Sequence, residues 1–142
     1  MESINILLVE DNLGDIELTR ESLSRGKLKN NLTVVENGED ALEYLFQRGQ
    51  YNNAVRPDII LLDLNLPKVS GRGVLKILKE DERTKDIPVI ILSSSRDALD
   101  IKESYQLHAN CFVSKPVSLS SFINVVQSIE SFWIDIVKLP AK

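Results

Sequence analysis

Short apolar runs alternate with longer amphipathic stretches along this chain. The runs Ile4–Val9, Leu32–Val35, Asp58 to Asp63, Ile87 to Leu92 and Asn110 to Ser114 each predict a strand. The third, Asp58-Ile59-Ile60-Leu61-Leu62-Asp63, shows no polar alternation, as a strand buried on both faces requires. Leu64-Asn65-Leu66-Pro67 follows at once and cannot continue a central strand.

Helical spacing fills the gaps. Asn12 caps a predicted helix over 13–28, with Asp15 at its N3 position, Leu18 and Leu23 facing inward, and Arg20 and Glu21 in solvent. Asn37-Gly38 turns the chain into a second helix carrying Ala41, Leu42, Leu45 and Phe46, which Gly49 is expected to stop. Tyr51 to Pro57 predicts a polar loop. A third helix spans 71–79 with Val74, Leu75 and Leu78 on one side, and 81–86 is a charged surface turn. A weaker helix covers 98–107, and a last one runs from near Ser118 to about Val137.

Strands that alternate with helices need parallel, right-handed crossovers, with helices on both faces of the sheet. The expected fold is α/β and doubly wound. Residues 1–142 form one domain, with about 131–142 extending the last helix; no linker or repeat divides them.

Composition narrows the functional classes. A chain of 142 residues with 43% hydrophobic and 27% charged residues is an ordinary globular mixture. The net charge of −4 gives no support to direct nucleic-acid binding. Cys111, the single cysteine, cannot form an internal disulfide or a thiolate zinc cluster; its apolar flanks suggest a buried, inert thiol in a reducing cytoplasm. Met1-Glu2-Ser3 leads directly into a strand, and no run is apolar enough to span a bilayer, so neither a signal peptide nor a membrane partner is expected.

The candidate chemistry sits where the runs stop. Glu10 and Asp11 follow the first strand, Asp63 the third, Ser93 the fourth and Lys115 the fifth. In open parallel sheets that carboxyl edge is where ligands bind. Two unit charges about 4 Å apart repel by about 4 kcal/mol at an effective dielectric of 20. Three carboxylates gathered there need a cation or raised pKa values. A hard divalent ion with oxygen ligands answers that need, and magnesium suits one or two carboxylates plus phosphate oxygens. The tips of Asp11 and Asp63 must then lie within reach of one ion. Taken singly, each residue is ordinary: an acid at a strand end is commonly a loop or cap residue, and a lysine before a proline is commonly a surface residue. Only the coincidence of several strand ends is informative.

Together these residues carry a resemblance. Leu8-Val9-Glu10-Asp11, Leu61-Leu62-Asp63-Leu64-Asn65-Leu66-Pro67 with Gly71, Pro88-Val89-Ile90-Ile91-Leu92-Ser93 and Phe112-Val113-Ser114-Lys115-Pro116 resemble the receiver domain of two-component response regulators, the chemotaxis-regulator type, over about residues 4 to 130. The resemblance implies a flavodoxin-like five-stranded parallel sheet of order 2-1-3-4-5. It implies a phosphoprotein, not a turnover enzyme beyond its own phosphotransfer and slow autodephosphorylation. Asp63 would take a phosphoryl group from the histidine of a sensor kinase. Asp11 and Asp63 would bind magnesium (manganese may substitute) by side chain, Asn65 by its backbone carbonyl, and Glu10 mostly through a water. Lys115 would pair with a phosphoryl oxygen, aimed by a cis bond at Pro116. Ser93, in place of the commoner threonine, and Phe112 would form the switch; Asn65 and Ser95 occupy positions that tune hydrolysis. A phenylalanine at 112 carries no hydroxyl to hold an outward state by hydrogen bonding.

The last helix looks too apolar for a monomer. Phe122, Val126 and Ile129 form an inward stripe; Val125, Phe132 and Leu139 fall on a second, with Trp133, Ile136 and Val137 adding to it. A core-capping tail is one reading. A homodimer through the fourth helix, fifth strand and last helix is the other. The segment 105–112 and the stretch from Ile129 to Pro140 look similar to response regulators paired with bacterial, notably cyanobacterial, phytochromes. His108 reads as a structural residue at a helix end, outside the acidic hollow.

Three rivals remain. An aspartate-nucleophile magnesium phosphatase needs a second aspartate where Asn65 stands. An EF-hand loop fails at Pro67 and Lys68. A pseudo-receiver or scaffold acting by binding alone has no need of Asp63, Ser93 and Lys115 together.

Overall fold

The computed structural model describes residues 3–25, 29–94, 97–115, 119–129 and 131–132, by backbone alone at 119, 122, 123 and 126. Ser95, Pro116, Trp133, Ile136, Val137 and Leu139, and the side chains of Phe122 and Val126, lie outside that description, and so does the expectation placed on each.

Five strands form one parallel sheet: β1 (Ile4–Val9), β2 (Asn30–Val35), β3 (Ile59–Leu62), β4 (Val89–Ser93) and β5 (Cys111–Ser114). Their spatial order is β2-β1-β3-β4-β5, as the motifs imply. Helices α1 (Leu13–Ser24), α2 (Gly38–Leu45), α3 (Gly71–Glu80), α4 (Ala98–Gln106) and α5 (Leu119–Ile129) connect and follow the strands.

Alternate residues of each central strand feed two cores. Leu7, Val9, Ile60, Leu62, Val89 and Ile91 pack with α2 and α3 through Ala41, Val74, Leu75 and Leu78. Ile6, Leu8, Ile59, Leu61 and Ile90 pack on the other face with Ile16, Leu23 and Ile129 of α1 and α5. Burying each large aliphatic side chain stabilises the fold by about 1.5–3 kcal/mol. This double burial is why β3 reads as an unbroken apolar run.

Several boundaries differ from expectation. α1 ends at Ser24, where the Arg25 N–H closes the last turn on Glu21. Thr19 and Ser22 join its buried face because each hydroxyl donates to a carbonyl four residues back. α2 stops at Leu45, before Gly49, because Gln47 already takes a left-handed conformation at φ 54°. A single 3₁₀ turn at Gly49–Tyr51 interrupts the expected loop. α5 is described to Ile129, with a wide turn at 131–132, so its extension toward Val137 falls outside the described residues. Cys111 is half-buried, not enclosed, because β5 is the edge strand; partial burial pushes its thiol pKa upward.

Candidate phosphoacceptor and metal site

Strand register brings the acids together. Val9 pairs with Leu62, so the next residues, Glu10 and Asp63, emerge side by side. The Asp63 N–H donates to Val9 O at 3.0 Å, and the Glu10 N–H to Val35 O at 3.0 Å, extending the ladder one residue past the apolar runs. Ser93 pairs with Ser114, and the Lys115 N–H donates to Ser93 O at 2.7 Å. Four strand ends thus deliver their polar side chains to one edge.

Two glycines make the loop after β3 possible. A Cβ on Gly71 would lie 2.1 Å from Asp63 O and 2.5 Å from Leu64 Cα. A Cβ on Gly38 would lie 1.9 Å from Val69 O. The Gly71 N–H donates to Leu64 O at 2.9 Å. Only residues without a side chain allow α3 to start so close to the Asp63 backbone and α2 so close to Val69.

Glu10, Asp11 and Asp63 each offer an oxygen within 4.8 Å of the others. An octahedral magnesium ion, with oxygens at about 2.0–2.1 Å, spans about 4 Å across, so small side-chain rotations suffice. Asp11 is exposed while Glu10 and Asp63 are buried, which leaves an open side for water or a phosphate. Every donor is a hard oxygen, so the residues fit magnesium or manganese.

Lys115 is buried among the same acids. Its Nζ contacts Glu10 Oε1, Asp15 Oδ2 at 2.9 Å and Asp63 Oδ2 at 3.5 Å. Burial lowers its pKa, but hydrogen bonds to Glu10 and Asp15 and the charge of Asp63 outweigh that and hold it above the ordinary value. The Glu10 pKa also rises, but there the rise favours the neutral form. Burial pushes its carboxyl from 4.5 to about 7; the Lys115 hydrogen bond opposes the rise and the charge of Asp63 adds to it. For Glu10 burial outweighs its one described cation, whereas for Lys115 the surrounding acids outweigh burial.

The remaining expected residues are placed as follows. The Asn65 N–H donates to Asp63 Oδ1 at 3.4 Å, and its side chain is exposed beside the acid. Ser93 is fully buried at the end of β4. Phe112 is half-buried against the first core. His108 sits just past α4 at φ 71°, beside Lys76, Lys79 and Glu80 and not among Glu10, Asp11 and Asp63. Val125 lies partly against the second core, and Phe132 is 53% exposed.

Two contributors were not anticipated in these roles. Asp15, expected only to serve the helix end, reaches Lys115. Its N3 position, three residues after a cap that itself follows the strand end, was the available signal. The Tyr105 hydroxyl accepts from the Phe112 N–H at 3.1 Å. A hydroxyl does reach residue 112, supplied from α4 to its backbone.

A parallel 2-1-3-4-5 sheet with buried acids and a lysine at its carboxyl edge defines a phosphoacceptor-type signalling fold. The response regulator receiver domain family matches residues 6–127, and the chain belongs to that family. It is 44% identical over 136 residues to the response regulator Rcp1 of Synechocystis sp., covering 96% of this chain and 92% of that protein. The solved Mn(2+)-bound form of Rcp1 superposes with a TM-score of 0.94 at 43% identity, covering 97% of this chain and 99% of the other. The phosphorylated cyanobacterial phytochrome response regulator RcpA superposes with a TM-score of 0.96 at 46% identity, covering 99% and 100%. Receiver domains bind magnesium at this acidic pocket, and the Glu10–Asp11–Asp63 trio forms it here.

Proposed function

We propose that this chain takes a phosphoryl group on Asp63 from the phosphohistidine of a sensor kinase, in a magnesium-dependent reaction. One observation carries the reading: Asp63 lies between a buried lysine and two further acids at an open sheet edge. An Asp63 oxygen attacks phosphorus, the P–N bond breaks, and the imidazole leaves with the electron pair. Asp11, Asp63 and the Asn65 carbonyl would hold a divalent ion, with Glu10 acting mostly through water, and that ion would offset charge on the acids and the phosphoryl oxygens. Lys115 turns its ammonium from Glu10 and Asp63 to a phosphoryl oxygen, a charge-assisted bond.

The acyl phosphate adds about −1.5 to −2 charges and three acceptor oxygens. The buried Ser93 hydroxyl moves to one of them, and Phe112 turns into the space this vacates. Shifting such a switch from 1:99 to 99:1 needs about 5.5 kcal/mol of differential interaction. Asn65 and Ser95 tune slow loss of the group by water, so the protein signals through contacts, not turnover.

The same reading takes residues 1–142 as one receiver domain, with about 131–142 extending its last helix. It places the protein in the cytoplasm, which suits the lone Cys111 thiol. Likeness to RcpA supports a phytochrome-type histidine kinase as donor. Incubation with such a kinase, autophosphorylated with labelled ATP, is expected to move label to the wild-type chain and not to Asp63→Asn. Label retained on the kinase with both proteins would count against that partner.

A homodimer through α4, β5 and α5 belongs to this proposal. An apolar groove of about 310 Å³ runs along β5 and α5, lined by Val113, Asn124, Val125, Ser128, Ile129 and Phe132. Leu99 and Tyr105 of α4 are also exposed. Sedimentation at micromolar concentration is expected to show a dimer that Phe132→Glu disrupts; a monomer with and without acetyl phosphate would contradict it.

A further inference from the structure

We propose that Asp15 is a positioning residue for Lys115: it holds the ammonium group over Asp63 when a bound divalent ion engages Glu10 and Asp63. The inference rests on the phosphoacceptor reading above.

The geometry of α1 prepares Asp15 for this. The Asn12 side chain caps the helix by accepting from the Asp15 N–H at 2.9 Å, so the Asp15 backbone is fixed. The Thr19 hydroxyl donates to Asp15 O at 2.8 Å one turn further along the helix. The carboxylate stands in the first turn, where the helix dipole favours negative charge. From there Oδ2 reaches Lys115 Nζ at 2.9 Å, across 100 residues of sequence. The side chain is 26% exposed, at the rim of the site.

Its difference from the other partners of Lys115 decides the role. Glu10 and Asp63 belong to the trio that can share one ion, and Asp15 stands outside it. A doubly charged ion outcompetes a singly charged ammonium for Glu10 and Asp63. Lys115 then keeps Asp15 as a carboxylate partner outside the ion cluster. Without Asp15, the lysine leans on Glu10 and Asp63 in the ion-free state and competes with the ion. In the ion-bound state it loses a tether that keeps it near the incoming phosphoryl group. Both effects act through Lys115.

The test compares Asp15→Asn with Glu17→Gln, which removes an equally negative, solvent-exposed charge from the same helix without touching Lys115. Free manganese is counted by electron paramagnetic resonance, and phosphorylation by acetyl phosphate is followed at saturating magnesium. Asp15→Asn is expected to weaken manganese binding and slow phosphorylation by about fivefold each. Glu17→Gln is expected to change each by less than about twofold. In a Lys115→Ala background, Asp15→Asn should affect manganese binding no more than Glu17→Gln does. Asp15→Glu, which keeps the charge, should restore part of both losses. An Asp15→Asn effect equal to that of Glu17→Gln would overturn the role, as would one that persists undiminished without Lys115. A wild-type protein that takes no phosphoryl group would instead overturn the phosphoacceptor reading beneath it.

Discussion

Glu10 and Gly71 show how far single residues govern this site. Burial raises the Glu10 pKa to about 7 in the ion-free protein. Between 4.5 and about 7 the folded chain therefore holds a proton that the unfolded chain has released. The stability this contributes is complete below the unfolded value and is lost as pH rises through the folded one. In chelator, chemical denaturation is expected to show stability falling between about pH 5 and about pH 7.5, with a shallower fall in Glu10→Gln. Magnesium favours the ionised Glu10 carboxylate, so its affinity is expected to rise with pH over that window. Equal slopes for both proteins would show that Glu10 does not titrate there. Gly71 acts by absence of bulk. A Cβ 2.1 Å from Asp63 O must push the phosphoacceptor backbone or α3 aside. Gly71→Ala is expected to cost about 1–3 kcal/mol of stability and to slow phosphorylation. An unchanged melting temperature would mean that the loop absorbs the methyl group freely.

Among the elements, α4 is anchored least by apolar packing. Its buried position is Ser104, and it presents Leu99 and Tyr105 to solvent. Polar ties hold it instead. Arg72, one residue into α3, meets Asp100 and approaches Glu103 with its Nε 3.0 Å from Oε2. The Tyr105 hydroxyl binds the Phe112 N–H on the edge strand. An element held this way can shift without breaking a core. Arg72→Gln is expected to speed amide exchange in α4 about two- to fivefold, matching the loss of about 0.5–1 kcal/mol from a half-exposed ion pair. Exchange in β1 and β3 should not change. Unaltered exchange in α4 would mean that backbone packing alone holds it.

At the scale of the whole molecule, the sheet and its acidic edge were legible because both depend on strand patterning. Double burial leaves an unbroken apolar run such as 59–62, and the end of the run locates Asp63. Helix ends were less legible. Gln47 takes a conformation usual for glycine, so the stop at Leu45 could not be read from Gly49. The reach of Asp15 was hidden because a helix-end role already accounted for an acid at that position. Cys111 was expected to be enclosed, and edge-strand geometry leaves it half-covered. Local patterning registers burial on a strand face; it does not register which side chains meet across 100 residues.

The most direct measurement is intact mass after incubation with acetyl phosphate, in magnesium and in chelator, for the wild type and Asp63→Asn. If Asp63 accepts the group beside a charge-neutralising ion, one phosphoryl adduct forms on the wild type in magnesium, with none in chelator and none on the variant. An adduct that survives Asp63→Asn, or that forms equally fast in chelator, would contradict both the residue and the role of the ion.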